Sequence, residues 1–518
     1  MCVPVFVGAV DLTIVSAALP AIMFQLAIPL QSGLGEASWI VSGYLLTYAL
    51  GIVLMGRASD RAGRRSTFIA ALGVFALGSF VVATAVDAPS AVTTEILRAF
   101  GGRPDPSIAS LYAVIAGRAI QGFAAGAMVP VAMALVGDLF PVGRRALPLG
   151  LIGAVDTAGW VLGQLWGGIA VQFFPWQALF WVNLPLAAVA AVIAWRALPG
   201  GRPSSVGKPF DWPGALLIAI ALGALNFALT GNEASRGGLA VPDRTPGYAL
   251  PMLLVAVIAS TIFIVRVGRV AHPLLELRPF GGRVAFAVGA NALVGATLMV
   301  GLVSIPLVVN AAAGGASVAA LTSGIVLAAL TIPLAIAAVA GGALAGRIGE
   351  RAISVGGLAV AGAGFALLAQ ARPEVARQAL AGTMAPELVS VIVALGLAGL
   401  GLGLTIAPLA TIVIDAATPG GRGSAAAVVI MLRLVGMMIA VSALTTYGVR
   451  RWAALAPAAF AGIDLRDGQQ LLDIGLGLTS RIAAEMAAAA GWVCLIALIV
   501  ALGLPSRRRR ANAARDAA

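Results

Sequence analysis

Long apolar runs recur along the chain, separated by short segments that hold most of its charged residues. A helix needs about 20 mainly apolar residues to cross the hydrocarbon core of a bilayer. Fourteen segments meet that length: 3–25, 37–56, 67–86, 109–136, 146–171, 178–195, 212–230, 248–266, 284–309, 318–345, 353–370, 388–414, 424–447 and 488–505. The pattern therefore predicts an all-α membrane protein with fourteen transmembrane helices. The first run, Val3 to Phe24, has no basic stretch before it and carries Asp11. It is expected as a transmembrane helix rather than a cleaved signal peptide.

Composition agrees with the pattern. The chain of 518 residues is 60% hydrophobic and only 10% charged, with a mean hydropathy of +1.01. Soluble domains carry roughly 25% charged residues, and no core of this length could hide so much apolar surface from water. The formal net charge is +12, which by itself could suggest nucleic acid. That reading is set aside, because the basic residues sit in short runs between apolar stretches rather than along one face. Almost all are Arg; Lys208 is the only lysine.

Their distribution sets an orientation. With the N-terminus cytoplasmic, the loops on that side hold 21 of the 33 basic residues, including Arg57, Arg144, Arg266, Arg347 and Arg422, and the external loops hold ten. Positive loops stay inside, and an odd number of spans would break the alternation. Both termini are expected in the cytoplasm, and the protein in the inner membrane of a bacterial cell.

An internal repeat divides the chain. Gly56-Arg57-Ala58-Ser59-Asp60-Arg61-Ala62-Gly63-Arg64-Arg65 follows the second span, and Gly342-Ala343-Leu344-Ala345-Gly346-Arg347-Ile348-Gly349-Glu350-Arg351 follows the tenth. They align without a gap. One copy per half points to a duplicated six-helix unit. The expected organisation is a six-helix bundle over 1–200, an inserted two-helix hairpin with flanking loops over 201–280, a second bundle over 281–506, and a basic tail over 507–518.

Charges inside the spans are the main candidates for chemistry, since each costs roughly 2.5–3.5 kcal/mol at a helix centre on insertion scales. Four stand out: Asp11, Arg118, Asp156 and Arg433. Two acids and two bases could pair as structural ion pairs. They could equally carry protons or gate, because burial disfavours a charged carboxylate and a neighbouring Arg favours it. Glycines recur within spans, notably Gly122, Gly126, Gly159, Gly163, Gly167 and Gly168, and Gly399 to Gly403. Such spacing lets helix backbones approach, and those of the fifth span could also let it bend. Enzymatic and cofactor chemistry find little support. Cys2 and Cys494 lie at opposite ends of the chain, His272 is the single histidine, and Gly207-Lys208-Pro209 lacks the hydroxyl of a phosphate loop. A non-transporting receptor or scaffold on the same helices is the rival from another class, and it would tolerate loss of Asp11 and Arg118.

Several motifs together resemble the major facilitator superfamily, over nearly the whole chain. Gly56 to Arg65 resembles its loop signature after the second helix, implying a cytoplasmic gating role for Gly56, Asp60, Arg61, Gly63, Arg64 and Arg65. Gly346, Arg347, Gly349 and Arg351 are its second-half counterpart. Gly117-Arg118-Ala119-Ile120-Gln121-Gly122 is similar to the fourth-helix motif, whose Arg is associated with proton transfer. Asp11 to Pro20, Gly159 to Gly168 and Trp181-Val182-Asn183-Leu184-Pro185 resemble the fourteen-span drug:proton antiporter branch. Gln164 stands where the exporter motif has Pro. Within that branch, Phe180 to Asn183, Gly399 to Pro408, and Ser424 to Val429 with Arg433 are similar to the mycobacterial triacylglyceride exporters that work with a lipoprotein. That likeness implies an ion lock of Asp11, Arg433 and an acid on the fifth span, here Asp156 with Thr157 beside it.

The resemblance implies two six-helix bundles plus two inserted helices, and proton-driven export of hydrophobic molecules by alternating access. Lipids are favoured, with multidrug efflux of lipophilic cations as the alternative. An external lipoprotein partner is implied; the external loop 371–387 looks shorter than in those exporters. Residues Gln469 to Ala490 are expected to continue the last span as a helix above the membrane.

Overall fold

The computed structural model describes residues 1–28, 36–37, 39–99, 105–198, 210–234, 247–275, 282–312, 316–371, 375, 378, 386–418, 421–461 and 467–505. Lys208, most of the loop 371–387 and the tail 507–518 lie outside them. Sixteen helices are present among the described residues: α1 (Cys2–Gln25), α2 (Trp39–Ala62), α3 (Arg64–Ala83), α4 (Ala88–Ala99), α5 (Pro106–Leu139), α6 (Ala146–Phe173), α7 (Gln177–Trp181), α8 (Asn183–Ala197), α9 (Trp212–Ala234), α10 (Ala249–Arg269), α11 (Arg283–Ala312), α12 (Ala316–Ile348), α13 (Glu350–Leu368), α14 (Pro386–Ala416), α15 (Arg422–Ala459) and α16 (Gly468–Ala501).

Every expected span falls on a helix. Among the described residues, twelve helices are long and apolar enough to cross a membrane, with α7 and α8 counted together. The two expected spans outside that set are α1 and α6, helices of 24 and 28 residues. The sixth span is interrupted at Val182. Pro185 has no N–H to give the carbonyl of Trp181 four residues earlier, so the helix restarts there. The restart puts Asn183 at the head of α8.

The chain divides into two compact units. Unit 1 holds Met1–Leu139, Leu162–Pro279 and Ala417–Met431. Its apolar core joins Ile14, Val15 and Ile22 of α1 to Val82, Val114, Trp176 and Phe180. Helix α5 packs on α2 and α3 with backbones nearly touching. A Cβ on Gly126 would lie 2.1 Å from the carbonyl oxygen of Tyr48, and one on Gly122 2.4 Å from that of Tyr44. Only glycine permits that approach, which is how helices associate where lipid is as apolar as Leu. Helices α9 and α10 pack against each other, and Trp39 of α2 meets Phe227 of α9 at 4.8 Å between ring centres.

Unit 2 holds Phe140–Val161, Phe280–Ala416 and Leu432–Ala518. Close backbone packing organises it too: α14 lies on α12 at Gly399 and Gly403, and on α13 at Gly401. Helix α15 has 38 residues and α16 has 34. At 1.5 Å per residue they are about 57 and 51 Å long, against a hydrocarbon core of about 30 Å. Both therefore project beyond it, and α16 runs unbroken through Gln469–Ala490 as the sequence led one to expect. Glu485 ties the two helices together. It accepts from Nε and Nη2 of Arg451 at 2.9 and 2.8 Å and from the hydroxyl of Tyr447 at 2.7 Å.

The repeat is visible in backbone geometry. Gly63 has φ 92° and ψ 142°, and its counterpart Gly349 has φ 103° and ψ 146°. Each sits at the start of the next helix, in a conformation essentially restricted to glycine. The two copies thus make the same turn.

Candidate functional site

Among the described residues, each unit contains one acid–arginine pair buried between helix interiors. In unit 1, Arg118 of α5 donates through Nη1 to Oδ2 of Asp11 on α1, and its Nη2 donates to the backbone oxygen of Asp11 at 3.0 Å. Arg118 is fully buried and Asp11 is 2% exposed. The guanidinium lies over the Tyr44 ring, 4.0 Å from its centre, a cation–π contact strengthened by the absence of water. Further donors surround the carboxylate. Asn183 Nδ2 reaches Asp11 Oδ1 at 2.9 Å and Gln121 Nε2 reaches it at 3.4 Å. Gln121 also accepts from Arg118 at 3.0 Å and donates to Ser79 Oγ at 2.7 Å. The pair is held by a network from α1, α3, α5 and α8.

Unit 2 is simpler. Arg433 Nη2 of α15 donates to Asp156 Oδ2 of α6 at 3.0 Å. Both side chains are nearly buried. Asp156 Oδ1 is buried and without a hydrogen-bond partner. Gly295 of α11 supports Arg433, since a Cβ there would lie 2.1 Å from the Arg433 carbonyl oxygen. The Thr157 hydroxyl donates to the Gly153 carbonyl at 2.9 Å. Asp11 and Arg433 therefore belong to different pairs.

The Gly56–Arg65 loop builds a third cluster in unit 1. Asp60 forms an ion pair with Arg64 and accepts from the Gly423 backbone N–H at 3.2 Å. Arg64 also donates to Ser59 Oγ at 2.6 Å and through Nε to Asp138 Oδ2 at 3.1 Å, and Arg422 holds the other Asp138 oxygen at 2.9 Å. Gly56 lets α15 close in, because a Cβ there would lie 2.7 Å from the Gly423 carbonyl oxygen. Arg61 and Arg65 take no part in this acid cluster; they lie over Phe210 and Trp195 at 5.9 and 5.8 Å. At the corresponding end of α14 in unit 2, Asp415 accepts from Arg145 at 2.8 Å. Of the bending glycines, Gly163 meets α1, where a Cβ would lie 2.4 Å from the Val10 carbonyl oxygen. Gly159 and Gly167 are buried along α6. The surroundings of Gly168 and Gln164 are outside the described residues.

Sequence reasoning passed over Ser79, Tyr44, Asp138 and Asp415, and quoted Gln121 and Asn183 only as motif letters. A polar residue within an otherwise apolar span was the available signal for Gln121 and Asn183. Ser79 and Tyr44 gave none.

Charge pairs buried between long apolar helices, a duplicated glycine turn and glycine-packed bundles are features that suit a membrane transporter. Residues 1–441 match the model of the Major Facilitator Superfamily, and the chain belongs to that superfamily; it is a transporter, not an enzyme. It is 33% identical over 535 aligned positions to a triacylglyceride transporter of Mycolicibacterium hassiacum, covering 99% of this chain and 92% of that protein. It is also 33% identical over 468 positions to the triacylglyceride transporter of Mycobacterium tuberculosis, covering 89% and 83%. Among solved structures, the human organic anion transporter MFSD10 has a TM-score of 0.56 at 15% identity, covering 96% of this chain and 97% of that one. The proton:xylose symporter XylE bound to 6-bromo-6-deoxy-D-glucose has 0.56 at 14%, covering 95% and 93%. These two likenesses concern the fold alone.

Proposed function

We propose that this protein is a proton-coupled exporter that moves hydrophobic molecules across a bacterial inner membrane by alternating access, with lipids such as triacylglycerides as the favoured substrate. The observation that carries the coupling is the Asp156–Arg433 pair. One carboxylate oxygen holds the guanidinium and the other is buried with no partner. A proton arriving at Oδ1 neutralises Asp156 and loosens Arg433; loss of the proton restores the pair. Coupling requires such a group, whose proton occupancy changes a contact between helices. Asp11 and Arg118 form the second protonatable lock, with Asn183 and Gln121 keeping Asp11 in register when Arg118 shifts.

In this reading both termini are cytoplasmic, six-helix bundles over 1–200 and 281–506 flank the inserted pair of helices at 201–280, and the Asp60–Arg64–Asp138 cluster is the cytoplasmic gate. Gly346, Arg347, Gly349 and Arg351 are its second-half counterpart. The glycines of α6 accommodate its bending. The lipid preference rests on the relatives named triacylglyceride transporters. The projecting ends of α15 and α16 would hand substrate to an external lipoprotein.

The test is reconstitution in liposomes with an imposed pH gradient and a labelled triacylglycerol, with Asp11→Asn as control. Gradient-dependent transfer lost in the variant supports the reading. Transfer that ignores the gradient overturns the coupling. Resistance to lipophilic cations on expression, with no lipid transfer, would move the substrate to drugs.

A further inference from the structure

A cavity inside unit 2 is separate from both charge pairs. It lies where α11 and α13 end and α14 begins, beside the first half of α16, at the end of the unit away from the Gly349 turn. Ile305, Val309, Val326, Leu368 and Val391 line it, with Ser480 from α16. Counted out through its mouth it encloses about 530 Å³ of space unfilled by atoms. Among the described residues, its lining holds no charged and no aromatic side chain. Ser480 is 6% exposed, and its hydroxyl is buried with no hydrogen-bond partner. The other hydroxyl on the wall, Ser304, is spent on the Val300 carbonyl at 2.7 Å.

A buried hydroxyl without a partner costs about 1–3 kcal/mol, so an orphan on a residue of an apolar cavity wall calls for an acceptor. We infer that this cavity binds one acyl chain of an ester lipid, with the Ser480 hydroxyl donating to the ester carbonyl. Branched aliphatic walls suit a flexible saturated chain, whereas a planar ligand would call for rings to stack on. A single neutral donor matches an ester carbonyl and not an ionised carboxylate, which would need a cation or several donors. The site does not depend on proton coupling and goes beyond the transport reading. The acyl ester has two sources, a neutral glyceride or a membrane phospholipid.

Full-length protein in detergent would be incubated with a diazirine-bearing palmitoyl monoacylglycerol or, in a parallel arm, a diazirine-bearing phosphatidylcholine, then irradiated and mapped by peptide mass spectrometry. Labelling is expected on α11, α14 and α16 around this cavity, at no more than one chain per protein. It should fall several-fold in Ser480→Ala, which removes only the hydroxyl, and vanish in Ala484→Trp, which fills the space. The arm that labels identifies the source. A thermal melt verifies that each variant is folded; should Ala484→Trp not fold, competition by excess unlabelled ester replaces it. Labelling unchanged in a folded Ser480→Ala, or not displaced by filling or competition, overturns the inference. Because the readout needs no transport, its failure is distinct from failure of the exporter reading.

Discussion

Replacing Asp156 by Leu tests whether the unit 2 pair is an ion pair in the folded protein. Among the described residues, Arg433 is the sole hydrogen-bond donor to the Asp156 side chain. Arg433 is 7% exposed. A guanidinium cannot shed its proton, so Asp156→Leu leaves an uncompensated buried cation. Breaking a buried pair this way costs about 3–5 kcal/mol, roughly two to more than three decades in the folding constant. Asp156→Leu combined with Arg433→Met removes both charges while keeping apolar volume, and should recover most of that loss. The assay is equilibrium unfolding of the purified full chain in mixed micelles, read as a double-mutant cycle. Recovery of most of that loss corresponds to a coupling of about 3 kcal/mol, the upper end of the range for residues in contact. If the double variant is destabilised by the sum of the two single variants, no pair exists and the proton-switch argument fails with it. The same cycle on Asp11 and Arg118 should give a smaller loss for Arg118→Met than for Arg433→Met, because Asn183 and Gln121 still donate to Asp11.

Three further outcomes are expected. Gly349→Ala and Gly63→Ala each force an L side chain to φ 103° or 92° and should destabilise by about 1–3 kcal/mol, checked in the same micelle assay; a neutral effect at either would mean the turn differs in solution. Gly423→Ala puts a methyl 2.2 Å from the Gly56 carbonyl oxygen, so transport in liposomes should fall sharply while the unit 2 cycle is unaffected. Glu485→Gln removes a partly exposed clamp; its effect on global stability should be small, and hydrogen exchange should quicken over 447–485 and nowhere else.

Hydropathy alone placed every expected span on a helix, because crossing lipid demands about 20 apolar residues in a row and that demand is local. The repeat announced two equivalent turns, since Gly63 and Gly349 adopt a backbone that other residues avoid. The sequence also nominated the four buried charges, because nothing else justifies their insertion cost. It did not say which acid meets which base. Arg118 and Asp11 are 107 residues apart, and Arg433 and Asp156 are 277 apart. Their pairing depends on how helices rotate and pack, which the apolar pattern does not encode. The likeness to lipid exporters grouped Asp11, Arg433 and Asp156; packing sets Asp11 against Arg118 and Arg433 against Asp156. Ser79, Tyr44 and Asp138 acquire roles only through neighbours distant in sequence. The Ser480 cavity is likewise invisible in one dimension, since an orphan hydroxyl is defined by what fails to pack beside it.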